Sequence, residues 1–210
     1  AEGVRPDRLA QAFGLARSYL IYYGLPWRHT QLQRLYAQFV RPGDLCLDIG
    51  AHLGNRLRAM DRVGARVVAL EPHPVLFRQL TRMYGRRPGV TLLEQAVGAS
   101  AGSARLLANA RNPTIATLSP GWAAAALGSG DTSDGFVWDK DFAVTVTTLD
   151  ALIDRYGAPA FCKLDIEGSE LDALQGLTRP IPALSFEYHP PARQLAIRCV
   201  ARLLELGSFE

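Results

Sequence analysis

The chain has 210 residues, 48% of them apolar, which suits one domain with a sizeable core and excludes a disordered or collagen-like chain. The net charge is only +3, and all but Lys140 and Lys163 of the 23 basic residues are scattered arginines, so nucleic acid is not an expected partner. No run of about 18 apolar residues predicts a membrane span. No apolar signal region follows Ala1-Glu2-Gly3-Val4-Arg5, and Cys46, Cys162 and Cys199 read as buried reduced thiols, so a cytoplasmic protein is expected.

Residues 6–40 have helical spacing, carried by Leu9, Phe13, Leu20 and Tyr23 and then by Leu32, Leu35, Tyr36 and Phe39. Gly24-Leu25-Pro26 separates the two pieces, and Arg41-Pro42-Gly43-Asp44 is a stop-and-turn signal. The expected division is therefore a helical segment over 1–40 and one main domain over 41–210. The aromatics Tyr19, Tyr22, Tyr23 and Trp27 are expected to seal the helices onto that domain rather than to form a partner surface.

From Leu45 the chain alternates strand with helix. Strands are predicted over Leu45–Ile49, Ala65–Leu70 and Val90–Leu93, with helices over 55–63 and 74–84 between them. The strands are continuous apolar runs, as expected where both faces of a parallel sheet are covered. The middle is less regular. Strands are predicted at 104–107 and 144–147, and residues 109–135 read as a long functional loop; Asn112, Thr114, Thr117 and Trp122 in it and Trp138 beside it are candidates to line or cover a pocket. A helix over 149–156, a strand over 160–164, a helix over 168–177, a strand over 181–186 and a helix over 191–206 complete the pattern. The rhythm implies an α/β fold: a mostly parallel sheet with right-handed crossovers and helices on both faces, plus the N-terminal helices.

In such a sheet ligands bind beyond the carboxyl ends of the strands, where strand order reverses. Asp48, Glu71, Glu94, Asp165 and Glu187 all fall at or near predicted strand ends. Five carboxylates on one rim repel one another unless cations or hydrogen-bond donors balance them. The first turn, Asp48-Ile-Gly50-Ala-His52-Leu-Gly54, lacks both the Gly-x-Gly-x-x-Gly spacing of a dinucleotide fold and the Gly-Lys-Ser/Thr of a phosphate loop. An acid two residues before the first glycine suits a ligand carrying an ammonium and a sulfonium better than a pyrophosphate. Glu71 stands where a carboxylate accepts hydrogen bonds from ribose hydroxyls.

These segments, with Val67-Val-Ala-Leu-Glu71-Pro72, Ala96-Val-Gly98, Thr147-Thr-Leu-Asp150, Lys163-Leu-Asp165-Ile-Glu167-Gly-Ser-Glu170 and Leu184-Ser-Phe-Glu187, occur in an order that resembles the FkbM-type methyltransferases over roughly residues 40–206. The resemblance implies a class I, Rossmann-like methyltransferase fold with S-adenosyl-L-methionine as donor. It implies O-methylation of a hydroxyl on a small-molecule or glycan acceptor such as a sugar, glycolipid or macrolide-like product. Among donor-site residues it implies Asp48, Gly50, His52, Gly54, Glu71, Pro72, Glu94, Gln95, Ala96 and Asp165. His52 stands where many relatives have asparagine. The family's antiparallel strand pair after the last helix is expected to be absent, since this sequence reaches Ser208-Phe209-Glu210 where the pair would begin.

A hydroxyl acceptor must lose a proton, so a base is needed. Glu167, His189 and Glu187 are the first candidates, with His52 behind them. No metal-ligand spacing is evident, and Lys163 reads as the partner of one of the acids. A nicotinamide-dependent oxidoreductase and a non-catalytic nucleotide-binding module are the competing readings, and the oligomeric state is open.

Overall fold

The computed structural model describes residues 14, 16–20, 23, 24, 26–109, 116–128, 138–188 and 192–207. Five strands form a wholly parallel sheet: β1 (Leu45–Ile49), β2 (Arg66–Leu70), β3 (Val90–Leu93), β8 (Phe161–Leu164) and β9 (Ala183–Phe186), in the order β3-β2-β1-β8-β9. Strand order reverses at β1, whose neighbours are β2 on one side and β8 on the other.

Every residue of β1 is buried, and its side chains alternate between two cores. Leu45, Leu47 and Ile49 join Leu70, Leu164, Leu149, Leu174 and Cys199 on one face. Cys46 joins Val67, Phe161, Tyr36, Leu57, Met60 and Leu80 on the other. This period of two explains why the strand is a continuous apolar run. Each fully buried leucine contributes about 1.5–3 kcal/mol.

Helices cover both faces. Behind the second core lie α1 (Pro26–Tyr36), α2 (Asn55–Val63) and α3 (Pro74–Tyr84); behind the first lie α5 (Leu149–Tyr156), α6 (Glu170–Gln175) and α7 (Arg193–Leu206). Their limits are chemical. Gly64 ends α2 with φ 93, and Thr148 starts α5 by accepting the Ala151 N–H at 3.1 Å. Residues 16–20 are helical, and Tyr23 donates to the Leu53 carbonyl at 2.8 Å and lies 2.8 Å from the Tyr84 hydroxyl, so it does fasten this segment to the main domain. The side chains of Tyr22 and Trp27 lie outside the described residues.

In the middle of the chain the strands predicted at 104–107 and 144–147 are present, and the described part of the expected loop holds a short strand and a helix. A second sheet runs β4-β7-β5-β6, from β4 (Ala96–Val97), β5 (Gly102–Ala108), β6 (Ala116–Thr117) and β7 (Lys140–Thr147). Its pairings β5–β7 and β5–β6 are antiparallel, and α4 (Pro120–Gly128) follows β6. Ala96, Leu106, Val144 and Val146 form its small core. Asn112 and Thr114 lie outside the described residues.

Among the described residues, the outer edge of β9 carries no strand. A groove lined by Leu35, Phe39, Val200 and Leu204 runs beside it. No helix among the described residues is long and apolar enough to cross a membrane. The three cysteines are free and buried, as their apolar surroundings predict.

Candidate active site

An open cleft of about 820 Å³ lies at the carboxyl ends of β1, β2 and β8, at the reversal of strand order. The second sheet and the segment after it contribute Val97, Leu106, Ala116, Thr117 and Leu118 to its lining.

The turn after β1 makes the floor. Gly50 has φ 75, and a Cβ there would sit 1.9 Å from the Asp165 carbonyl oxygen, so the position admits no side chain. His52 has φ 54, in the left-handed region where asparagine, aspartate and histidine are the side chains most often tolerated. Its N–H donates to Glu71 Oε2 at 2.7 Å, and the His73 N–H donates to Oε1 at 2.9 Å. Glu71, 5% exposed, is therefore held at the cleft wall by two backbone donors. Burial nevertheless pushes its pKa up to about 7.

Asp48 and Lys163 are direct neighbours across β1 and β8. The Lys163 ammonium lies 3.3 Å from Asp48 Oδ1 and 3.3 Å from Asp165 Oδ2, and donates to the carbonyls of Ile49 at 3.2 Å and Gly50 at 2.6 Å. Burial works against the ammonium, but the two carboxylates outweigh it and raise its pKa. Burial would raise Asp165; Lys163 and a hydrogen bond with Glu187 outweigh it and hold that carboxyl below its ordinary value.

The segment after β8 carries the remaining acids. Glu170 accepts the N–H groups of Ile166 at 3.1 Å and Gly168 at 3.3 Å, folding the segment back on itself. Glu167 sits at φ 53, a conformation that costs a non-glycine residue about 1–2 kcal/mol and marks functional segments. Thr117 Oγ donates to its carbonyl at 2.6 Å, tying β6 to this turn. Gly168 has φ 92, and Trp122 packs against it where a Cβ would otherwise stand. Trp122 also meets Trp138 edge-on, with ring centroids 6.2 Å apart. Carboxyl oxygens of Asp165, Glu167 and Glu187 lie within 4.8 Å of one another. Burial first, then the neighbouring Glu187, Asp165 and Glu170, push the Glu167 pKa up to about 8.

Of the residues singled out in the sequence, Gly50, His52, Glu71, Pro72, Gln95, Ala96, Asp165, Glu167 and Glu187 all line this cleft. Three described donor-site candidates do not. Asp48 is 0% exposed, behind the wall against Lys163. Gly54 caps α2 and packs against Tyr84 and Leu80, and Glu94 is exposed outside the lining. His189 lies outside the described residues. Burial lowers the His52 pKa to about 4, with Lys163 adding to the effect, so this imidazole is neutral and weakly basic at neutral pH. Sequence reasoning missed Leu76, Leu106 and Leu118. The first is a helix residue with no polar signal, and the others reach the cleft through the second sheet.

A parallel sheet with a buried acid at its second strand end, and a cleft lined by both apolar residues and acids, places the chain in the class of open α/β proteins whose ligand site lies at the reversal of strand order. The sequence pattern of the Methyltransferase FkbM domain matches residues 48–202, and the chain belongs to that family of methyltransferases. It is also 25% identical over 194 residues to the hexuronic acid methyltransferase AglP of Haloferax volcanii, an alignment covering 87% of this chain and 73% of that protein. The family is one of methyl transfer and not of the nicotinamide-dependent oxidation held as an alternative.

Proposed function

We propose that this chain moves a methyl group from S-adenosyl-L-methionine to a hydroxyl of a small-molecule or glycan acceptor, a sugar first among them. The observation that carries the reading is Glu71, fixed by two backbone donors on the wall of a cleft whose other end is acidic. Its fixed carboxylate suits a ribose diol. Ala96, Val97 and Leu76 give the cleft apolar lining beside the polar Gln95, which suits an adenine, and Asp165 with its neighbours suits the cationic end of the donor. When bound, the donor supplies an electrophilic methyl on a positively charged sulfur.

The chain's own residues then have to orient the acceptor, exclude water and take up a proton. Glu167 is the favoured base. It lines the cleft, and its pKa of about 8 lies near the working range of a general base, whereas His52 near 4 is too weak. Glu187 stands beside it, hydrogen-bonded to Asp165. Thr117 lines the cleft and is tied to the Glu167 turn, and Trp122 packs on Gly168 of the same turn and against Trp138, so these residues are the candidates to shield the acceptor from water. The sugar acceptor finds support in the Haloferax relative, a hexuronic acid methyltransferase.

The test is label transfer from methyl-labelled donor to a panel of sugars and polyketides, with calorimetric titration of S-adenosylhomocysteine and NAD alongside. The reading expects binding of S-adenosylhomocysteine and label on a sugar in a base-stable ether. Label in a base-labile ester would move the chemistry to a carboxyl group, and binding without transfer to any acceptor would leave a nucleoside-binding module. Binding of NAD in place of S-adenosylhomocysteine would end the reading.

A further inference from the structure

The acidic end of the cleft is short of positive charge. Asp165 closes β8, Glu187 closes β9 and Glu167 sits in the turn before α6, so three separate segments bring their carboxyls together. Glu170, at the start of α6, adds its charge behind Glu167. Lys163 is already engaged by Asp48, Asp165 and two carbonyls. Arg56 acts on Asp165 from the groove beside β9. From β6, Thr117 reaches only the Glu167 carbonyl, and His52 is neutral. Among the described residues no lysine or arginine lines the cleft.

Carboxyls this close cannot all ionise without another cation, and the pair or triad then shares protons. The geometry calls for such sharing, with carboxyl oxygens of all three residues within 4.8 Å of one another, and burial among these acids holds the Glu167 pKa up to about 8.

We propose that Asp165, Glu167 and Glu187 make this cleft a reader of ligand charge: a nucleoside with a cation at the sulfur position displaces the proton on Glu167, and the neutral thioether left after transfer does not. This rests on the methyl-transfer reading above and adds to it. Donor arrival would itself ionise the base, and loss of the charge on transfer would let the proton gained from the acceptor stay on Glu167. The proton goes from the Glu167 carboxyl to solvent on binding, and no bond other than O–H changes.

The experiment is calorimetry at pH 7.0 in buffers of different ionisation enthalpy, which reads protons released per ligand bound. Three ligands are compared: S-adenosyl-L-methionine, S-adenosylhomocysteine, and sinefungin, which carries a protonated amine near the sulfonium position. Glu71, with a pKa of about 7, also responds to a ribose, but equally for all three, so the difference between ligands is the readout. At pH 7.0 the two cationic ligands should each release about half a proton or more beyond the thioether, as expected for a shared site mostly protonated there. Glu167→Gln should remove the difference, and Glu167→Asp should restore part of it. Equal release by the methionine and homocysteine forms, or a difference that survives Glu167→Gln, would overturn the proposal. Failure of all three ligands to bind would instead sink the methyl-transfer reading and this proposal with it.

Discussion

Glu71 and Glu167 are both largely buried acids with raised pKa values, yet different work is proposed for them because their partners differ. Glu71 has two backbone donors and a fixed orientation, which suits binding. Glu167 has carboxylates for neighbours, which suits proton transfer. Glu71→Gln keeps the shape but loses charge-assisted acceptance, so it should weaken S-adenosylhomocysteine binding by roughly 1–3 kcal/mol, read by calorimetry. Unchanged affinity would place the ribose elsewhere. The same groups set a pH dependence. The folded protein binds the Glu167 proton up to about pH 8, whereas an unfolded glutamate releases it near 4.5, so this residue's contribution to stability is lost as pH rises through that window. Glu71 acts in the same sense up to about pH 7. His52 and His73, held near 4, act oppositely and cost stability as pH falls below about 6.5. Thermal denaturation should therefore show Tm falling between pH 6 and pH 8, and falling less in Glu167→Gln. An identical decline in both proteins would show that Glu167 is not a strained, proton-holding acid.

At the scale of elements, the Lys163-Leu-Asp165-Ile-Glu167-Gly-Ser-Glu170 segment joins three functions in eight residues. Lys163 ties β8 to β1, Asp165 and Glu167 face the cleft, and Glu170 fastens the turn. Lys163→Met leaves Asp48, 0% exposed, without its counter-ion, and should destabilise the fold by about 3–5 kcal/mol in chemical denaturation. A loss below about 1 kcal/mol would mean that the pair is not the buried cross-strand lock described here. Gly168→Ala puts a methyl group into Trp122 at a residue with φ 92. It should move the indole off the turn, seen as a red shift and quenching of tryptophan emission, and slow methyl transfer more than it weakens donor binding. Equal loss of both would mean that Trp122 supports the donor pocket and not the acceptor side.

Across the whole molecule, the parallel sheet was legible because its strands are short apolar runs ending in acids, and every predicted strand from Leu45 to Phe186 in that sheet is present within two residues. The second sheet was less legible. Its core is small, one alanine, one leucine and two valines, and β4 and β6 are two residues long, so only the strands at 104–107 and 144–147 stand out. The acids that line the cleft, Glu71, Asp165 and Glu187, could be read from strand ends. Asp48 illustrates the limit: the sequence puts an acid at the end of β1, but only the pairing register shows that Lys163 lies directly opposite and holds it inside. Trp122 and Thr117 could be named as candidates, yet their contacts with Gly168 and Glu167 depend on folding between distant segments.

Hydrogen–deuterium exchange with and without saturating S-adenosylhomocysteine reads the site without knowledge of the acceptor. Protection should concentrate in peptides spanning 49–54, 71–76, 94–97 and 165–168, with little change at 35–39 and 200–204 beside β9. Protection confined to the β9 groove, or none at a concentration where binding is measured, would contradict the placement of an adenosyl donor at the ends of β1, β2 and β8.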